Sequence, residues 1–263
     1  MSKAEIFASL HKKGDPLLLA NAWDVASAVV IADVGAKAVA TTSAGVAWSL
    51  GVPDGADLGA ERAAAVIERI AAAVPLPVSA DIEAGYGDVE ATTTAVLQAG
   101  AVGVNIEDAS GDGLLDPAEQ ADRLAAVRAA ADCLGISAWI NARTDVFLLD
   151  TDNGVQEALK RSEAYAAAGA SSLFVPGLTD LAAITELAAG PLPIAVMAWA
   201  GTPSVAEFAA AGAVRISLGP SIAQASYAVV AHSTAELLSS GTYDKTADAL
   251  LYEDLQRLTQ PRA

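Results

Sequence analysis

Residues 97–108 read LQAGAVGVNIED, and they hold the joint between two kinds of structure. An Ala-rich segment with helical spacing ends at Gly100, the residue favoured just past a helix because it tolerates a left-handed backbone. A short apolar run with strand character, VGVNIE (102–107), follows and closes on two acids, Glu107 and Asp108. The same order recurs along the whole chain. Similar runs stand at LLLANA (17–22), AVATTS (38–43), PVSADI (77–82), SAWINA (137–142), SLFVPG (172–177), PIAVMA (193–198) and VRISLG (214–219). Between them lie segments such as LGAERAAAVIERIAAAV and PAEQADRLAAVRAAADCLG, and ADVGAKAV, AAAGASSL and AAAGAVRI repeat the glycine stop. Pro203 and Pro220 stand at expected helix starts, where a missing N–H costs little.

Strand then helix, eight times in 263 residues, predicts an α/β fold: a (β/α)8 TIM barrel with extra C-terminal helices. The expected organisation is a single domain over 1–263, with the barrel at about 15–235 and a helical extension at about 236–263. A doubly wound open sheet uses the same unit. Even spacing and the lack of a glycine-rich GxGxxG turn favour the barrel.

Composition narrows the function classes. The formal charge is −17, from 32 acids against 15 Lys and Arg, which disfavours nucleic acid and anionic membrane as partners. No stretch is apolar enough for a membrane span, and MSKAEIFASLHKKGD lacks the apolar core of a signal peptide, so a cytoplasmic location is expected. The lone Cys133 supports neither a disulfide nor a cysteine metal site, and it reads as a buried small hydrophobe. His11 reads as solvent-facing on an N-terminal helix, and His232 as a surface or helix-packing residue.

In such barrels the reacting groups sit at the C-terminal ends of strands. That rule gathers Ser43, Ala44, Gly45 and Asp54 after the second run, Asp81 and Glu83 after the third, Glu107 and Asp108 after the fourth, and Arg143 and Asp145 after the fifth. Asp81 and Glu83, two apart on an extended strand, should point the same way. So many carboxylates at one mouth would repel one another unless a divalent cation joins them, and carboxylates with water are how Mg2+ is held. The Gly-Tyr-Gly at 85–87 lets the backbone turn beside the ion. Arg143 offers a planar fork for a carboxylate or phosphate, and the small residues at 43–45 offer close approach to backbone N–H groups.

At these positions the chain resembles the isocitrate lyase/phosphoenolpyruvate mutase superfamily. ANAWDVASAVV, TTSAGVAWSLGVPDG, SADIEAGYGD, VNIEDASG, INARTDVFL, LFVPGL and RISLGP carry the resemblance in order along most of the chain. It implies a barrel that assembles into dimers or tetramers, often exchanging C-terminal helices, with Mg2+ or Mn2+ and a small 2-oxo or 2-hydroxy carboxylate substrate. It implies Asp81 as the direct metal ligand, with Asp54, Glu83 and Glu107 reaching the ion through water. Ser43, Ala44 and Gly45 align with substrate contacts and Arg143 with the substrate-binding arginine.

Departures from the family pattern steer the expected reaction. Lyases of the superfamily carry a Lys-(Lys/Arg)-Cys-Gly-His loop after the fourth strand, and here that stretch reads EDASGDGLLDPAEQ. With that loop absent, Tyr86, Asp108, Asp112 and Asp145 are left as candidates to move a proton, and Asp54, Arg143 and Tyr86 are the expected catalytic residues. The implied activity is a Mg2+-dependent lyase that cleaves a C–C bond through a stabilised enolate, as in oxaloacetate decarboxylation. The alternatives are C–P chemistry of the phosphonopyruvate type and a metal- and dicarboxylate-binding pseudoenzyme. A Schiff-base aldolase would need a lysine at a strand end, and Lys37 stands at the wrong end of its strand.

Overall fold

The computed structural model of the chain describes residues 1–56, 58–111 and 113–260. After helix α1 (Lys3–Ser9), the chain lays down β1 (Leu17–Leu19), β2 (Asn21–Ala22), α2 (Val25–Asp33), β3 (Val39–Thr41), α3 (Ser43–Ser49) and α4 (Ala60–Ala73). It continues through β4 (Val78–Asp81), α5 (Val89–Gln98), β5 (Gly103–Glu107), a small hairpin of β6 (Ala109–Ser110) and β7 (Gly113–Leu114), and α6 (Pro117–Cys133). Then come β8 (Trp139–Arg143), α7 (Gly154–Ala167), β9 (Ser172–Phe174), α8 (Leu181–Ala188), β10 (Ile194–Met197), α9 (Val205–Ala210) and β11 (Ala213–Ser217). Helices α10 (Ser221–Ser240) and α11 (Tyr252–Leu258) follow.

The strands form one parallel sheet in the order β1-β11-β10-β9-β8-β5-β4-β3-β2. Its two ends are the same strand, because only Ala20 separates β1 from β2. Leu17–Leu19 pair with Arg215–Ser217 on one side, and Asn21 and Ala22 pair with Ala40 and Thr41 on the other. The sheet therefore closes into the expected (β/α)8 barrel. Every apolar run picked out in the sequence contributes to that ring.

Alanine explains the tight fit of helices on the barrel. Gly100 and Gly212, both at positive φ, end α5 and α9, and a Cβ on either would come within 2.9 Å and 2.8 Å of Ala71 and Ala188. The barrel's lower end is plugged by α1, which a Ser2–Glu5 capping box starts. Phe7 from this helix is fully buried, and its burial is worth about 2–3 kcal/mol. His11, expected at the surface, instead stacks on Trp139 at 3.8 Å and meets the Phe7 ring edge-on at 4.8 Å. Its Nδ1–H donates to the Phe7 carbonyl, while Nε2 is buried without a partner. Burial, with the charge of Arg215 nearby, drops its pKa to about 3.

Cys133, expected to be buried, is exposed, because α6 turns its last residue outward before the chain returns to β8. His232 is exposed on α10, as expected. No helix among the described residues is long and apolar enough to cross a membrane.

Candidate active site

Above the plug, the barrel interior is polar. Asn141 Nδ2 donates to Asn105 Oδ1 at 2.7 Å, and the Ser172 hydroxyl donates to Asn141 Oδ1 at 2.5 Å. Arg215, fully buried, gives Nη2 to Asn105 Oδ1 at 3.1 Å and leaves Nη1 without a partner. Asn21 stitches the seam, donating to the Thr41 carbonyl and accepting from the Leu218 N–H. Asn105, Asn141 and Arg215 lie mid-strand in apolar runs, and the polar letters in VGVNIE, SAWINA and VRISLG were the only sequence signal for them.

At the strands' C-terminal ends a cavity of about 190 Å3 opens over this interior. Ser43, Ala44, Asp54, Asp81 and Arg143 line it with Asn21 and Asn105, and Leu148, Phe174, Pro176 and Met197 supply an apolar wall. Asp81 is held from β3 and α3: its N–H donates to Thr41 Oγ1 at 2.9 Å, and its Oδ2 accepts from the Ser43 hydroxyl at 3.0 Å and the Ser43 N–H at 3.3 Å. Ser43 thus faces Asp81 at the start of α3. Gly45 does not line the cavity. Its missing side chain makes room for packing, since a Cβ there would come within 2.7 Å of Thr42 and 2.9 Å of Trp23. Trp23, Trp48 and Trp199 also stand away from the cavity wall, and Trp48 packs edge-on to Tyr227.

Glu83 reaches the site by a different route from the one the strand pattern implies. β4 ends at Asp81, and Glu83 and Tyr86 both adopt the left-handed region, at φ 49° and 46°. Strand alternation has stopped there, so a turn rather than a shared strand face brings Glu83 to its partners. The Gly85 N–H closes the turn onto the Ile82 carbonyl at 2.7 Å, and the Tyr86 hydroxyl donates to Glu83 Oε1 at 3.1 Å. Two non-glycine residues in this region mark a segment whose strain the surrounding contacts must hold.

The electrostatics follow from burial and crowding. Burial, and then the charges of Asp81 and Asp54, push Glu83 up to about 7 against the Tyr86 hydrogen bond. Glu107 is pushed up to about 8 by burial, with Asp81, Asp145 and Glu83 adding to it and Arg143 opposing. Asp54, on the loop after α3, is raised by burial and by Asp81. Tyr86 is raised by burial and by Glu83, so it keeps its proton at neutral pH.

Arg143 is pinned on two sides. Its Nε and Nη2 donate to Asp145 at 2.6 Å and 2.9 Å, and its Nη1 pairs with Glu107 at 2.8 Å. Burial works against its charge, but Asp145 and Glu107 outweigh it and hold the guanidinium above its ordinary value. Asp108, by contrast, lies fully buried outside the cavity wall. Asp112 lies outside the described residues.

The donor set is all oxygen, and its four carboxylates are near enough for Asp81 to raise the other three. A hard divalent cation relieves that repulsion. Among the described residues no three acidic, histidine or cysteine side chains already converge enough to enclose an ion by themselves.

A closed parallel barrel, with carboxylates gathered around a pinned arginine at its strand ends, defines a (β/α)8 protein with a charged mouth. The chain belongs to the phosphoenolpyruvate phosphomutase family, whose profile matches residues 7–238, and so to the isocitrate lyase/phosphoenolpyruvate mutase superfamily. It is 36% identical to an uncharacterized protein of Mycobacterium tuberculosis, over 95% of this chain and 94% of that one. It is 31% identical to the 2-methylisocitrate lyase of Salmonella typhimurium, over 68% of this chain and 64% of the lyase. A crystal structure from Burkholderia cenocepacia J2315 superposes with a TM-score of 0.84 at 45% identity, covering 88% of this chain and 98% of its own.

Proposed function

We propose that the chain is a Mg2+-dependent enzyme that cleaves a C–C bond beside a 2-oxo or 2-hydroxy carboxylate, with oxaloacetate decarboxylation as the leading reaction. The supporting observation is one cavity in which Asp54, Asp81 and Arg143 face an apolar wall, with Glu83 and Glu107 beside it, outside the lining, and close enough to feel the charge of Asp81. Asp81 would hold the ion directly, with Asp54, Glu83 and Glu107 reaching it through water; Mn2+ would suit the same oxygen donors. When bound, the ion supplies positive charge that stabilises a developing enolate oxygen.

The chain's own residues do the rest. Arg143 keeps one N–H on Nη1 and one on Nη2 after its three bonds to Asp145 and Glu107, and these would receive a substrate carboxylate. Ser43 and Ala44 border the same space. Leu148, Phe174, Pro176 and Met197 exclude water from the opposite side, where a departing carboxylate would lose hydration and favour release as CO2. No general acid is needed for that loss, which fits a loop without Cys, Lys or His. Tyr86, protonated and bonded to Glu83, is the acid this reading assigns to return a proton to carbon through that carboxyl group.

Family membership favours a second reading, C–P chemistry on a phosphonopyruvate-like substrate. Against it, Arg143 is the one cation among the described residues lining the cavity. The test follows pyruvate and oxalate separately from oxaloacetate with Mg2+, with and without EDTA, beside a metal-only blank. Asp81→Ala should cost about a hundredfold or more in kcat/KM, the scale of a metal's charge stabilisation. Oxalate in place of pyruvate would make the enzyme a hydrolase. A phosphorus-31 spectrum with phosphonopyruvate would reveal C–P turnover, and ligand binding without product would mark a pseudoenzyme.

The reading includes self-association into a dimer or tetramer. Helix α10 buries only Ala223 and exposes Tyr227, Val229, Val230, Leu237 and Leu238. A cavity of about 510 Å3, lined by Leu18, Ile31, Val34, Val205, Ile216 and Leu218, lies on the outer face between β1 and β11. A helix following β11 would ordinarily cover that face, so a second copy's α10 fits there. Val230→Asp with Leu237→Asp should shift light scattering toward the monomer.

A further inference from the structure

Helix α7 packs on the outside of the barrel, and none of its residues lines the cavity. Two of its side chains, Arg161 and Tyr165, are nevertheless buried and polar. Both turn onto the carboxylate of Asp108, which has no exposure to solvent at all. The Tyr165 hydroxyl donates to Asp108 Oδ2 at 2.7 Å, and Arg161 Nη1 donates to the same oxygen at 2.9 Å. Arg161 is itself aimed by Glu157, whose Oε1 accepts from Nε at 2.8 Å, and its Nη1 also meets the Tyr165 oxygen at 3.1 Å.

The other oxygen of Asp108 faces the site. Its Oδ1 accepts the Asp145 backbone N–H at 3.0 Å. The Asp145 carbonyl accepts from the N–H groups of Leu148 and Leu149 at 3.0 Å and 2.9 Å, so this residue's backbone is caught on both sides. A backbone fixed in this way leaves its side chain few directions to take. The carboxylate that emerges holds Nε and Nη2 of Arg143. Glu107, one residue before Asp108, holds Nη1. The pair at 107–108 therefore grips Arg143 twice, directly through Glu107 and indirectly through Asp108 and Asp145.

We propose that Asp108, clamped from α7 by Arg161 and Tyr165, is a positioning residue that sets the orientation of the Arg143 guanidinium through Asp145. The clamp leaves free the one N–H on each terminal nitrogen that a ligand carboxylate would take. A buried carboxylate retains its place only while its donors are present, so removing a donor on α7 is felt at Arg143. That Arg143 then receives a carboxylate rests on the function proposed above. The orientation of its side chain does not.

The test uses the full chain labelled with 15N-arginine. The Arg143 Nε–H resonance is assigned by its disappearance in Arg143→Lys. Tyr165→Phe, which removes one hydroxyl and keeps the ring, should shift or broaden that resonance. The same variant should weaken Mg2+-dependent oxalate binding about tenfold, the loss expected for one hydrogen bond to a charged group. Mn2+ binding measured without oxalate should stay within about twofold, since the clamp touches no expected direct ligand. Arg161→Lys, which keeps the charge and loses the planar fork, is the second variant should Tyr165→Phe fold poorly, and it should give the same shift. An unchanged Arg143 resonance in a folded variant of either kind overturns the proposal, whatever the oxalate affinity. Failure of the unaltered protein to bind oxalate with Mg2+ would instead remove the carboxylate-binding reading while the resonance still decides the clamp.

Discussion

The two ends of the barrel treat charge in opposite ways. At the mouth, burial and crowding raise Glu83 and Glu107 to about 7 and 8, so those acids hold protons they would lose in water. At the plugged end, burial lowers His11 to about 3 and Arg215 to about 10, so His11 is neutral while Arg215 keeps its charge against the pull of desolvation. Desolvation is the first cause at both ends, and it always disfavours the charged form. The difference lies in what could relieve it. The mouth opens to solvent and can admit a cation. The plug is sealed by Phe7, His11 and Trp139, and its Arg215 charge is met by Asn105, by the Phe7 ring face at 6.0 Å and by the field of Asp81. One end is open to solvent, and the other is closed over its charge.

The strongest way to break this contrast is to unseal the plug. Phe7→Ala should cost about 3–5 kcal/mol in urea unfolding, as for other fully buried aromatics, and leave Mg2+ binding intact if the ends are independent. A loss of Mg2+ affinity in the folded variant would show the ends to be coupled through the polar interior.

Acidity sharpens the contrast because the two ends have opposite signs. Glu107 has a raised folded-state pKa, so its stabilising contribution is complete below about 4.5 and is lost as pH rises through about 8. In EDTA, the protein should therefore lose stability over that range, and Glu107→Gln should flatten the loss. Mg2+ should raise Tm more at pH 8 than at pH 6, since the ion displaces those protons. His11 has a lowered pKa, so its contribution is complete above about 6.5 and is lost as pH falls toward about 3. The His11→Phe variant should soften that acid limb, whose slope is at most about 1.4 kcal/mol per pH unit. Equal pH profiles for the two variants would mean that neither end carries the charge burden described.

Much of the fold was legible because each strand is a short apolar run and each helix stops at a glycine before the next one. The mouth was legible for the same reason: once strand ends are located, Asp81, Glu107 and Arg143 fall at them automatically. What escaped depended on contacts between residues far apart in the chain. Nothing near His11 predicts that Trp139 will stack on it, and nothing near Asp108 predicts Arg161 and Tyr165, more than fifty residues on. Gly45 is ambiguous in the sequence because a small residue at a strand end can serve either a ligand or close packing, and here the Thr42 and Trp23 side chains crowd the place a Cβ would take. Glu83 was expected on a strand face shared with Asp81, but the strand ends at Asp81 and a turn follows, which periodicity cannot announce.

The split first strand has a consequence of its own. The ring closes where Leu17–Leu19 meet Arg215–Ser217, and on its outer side Leu18 is 51% exposed while paired with Ile216. Elsewhere the chain's own helices cover the strands, but over this joint α10 leads away. If a second copy supplies the cover, the integrity of the ring becomes subject to mass action. Dilution would then act on this joint before any other, and its amide hydrogens would exchange at rates set by protein concentration.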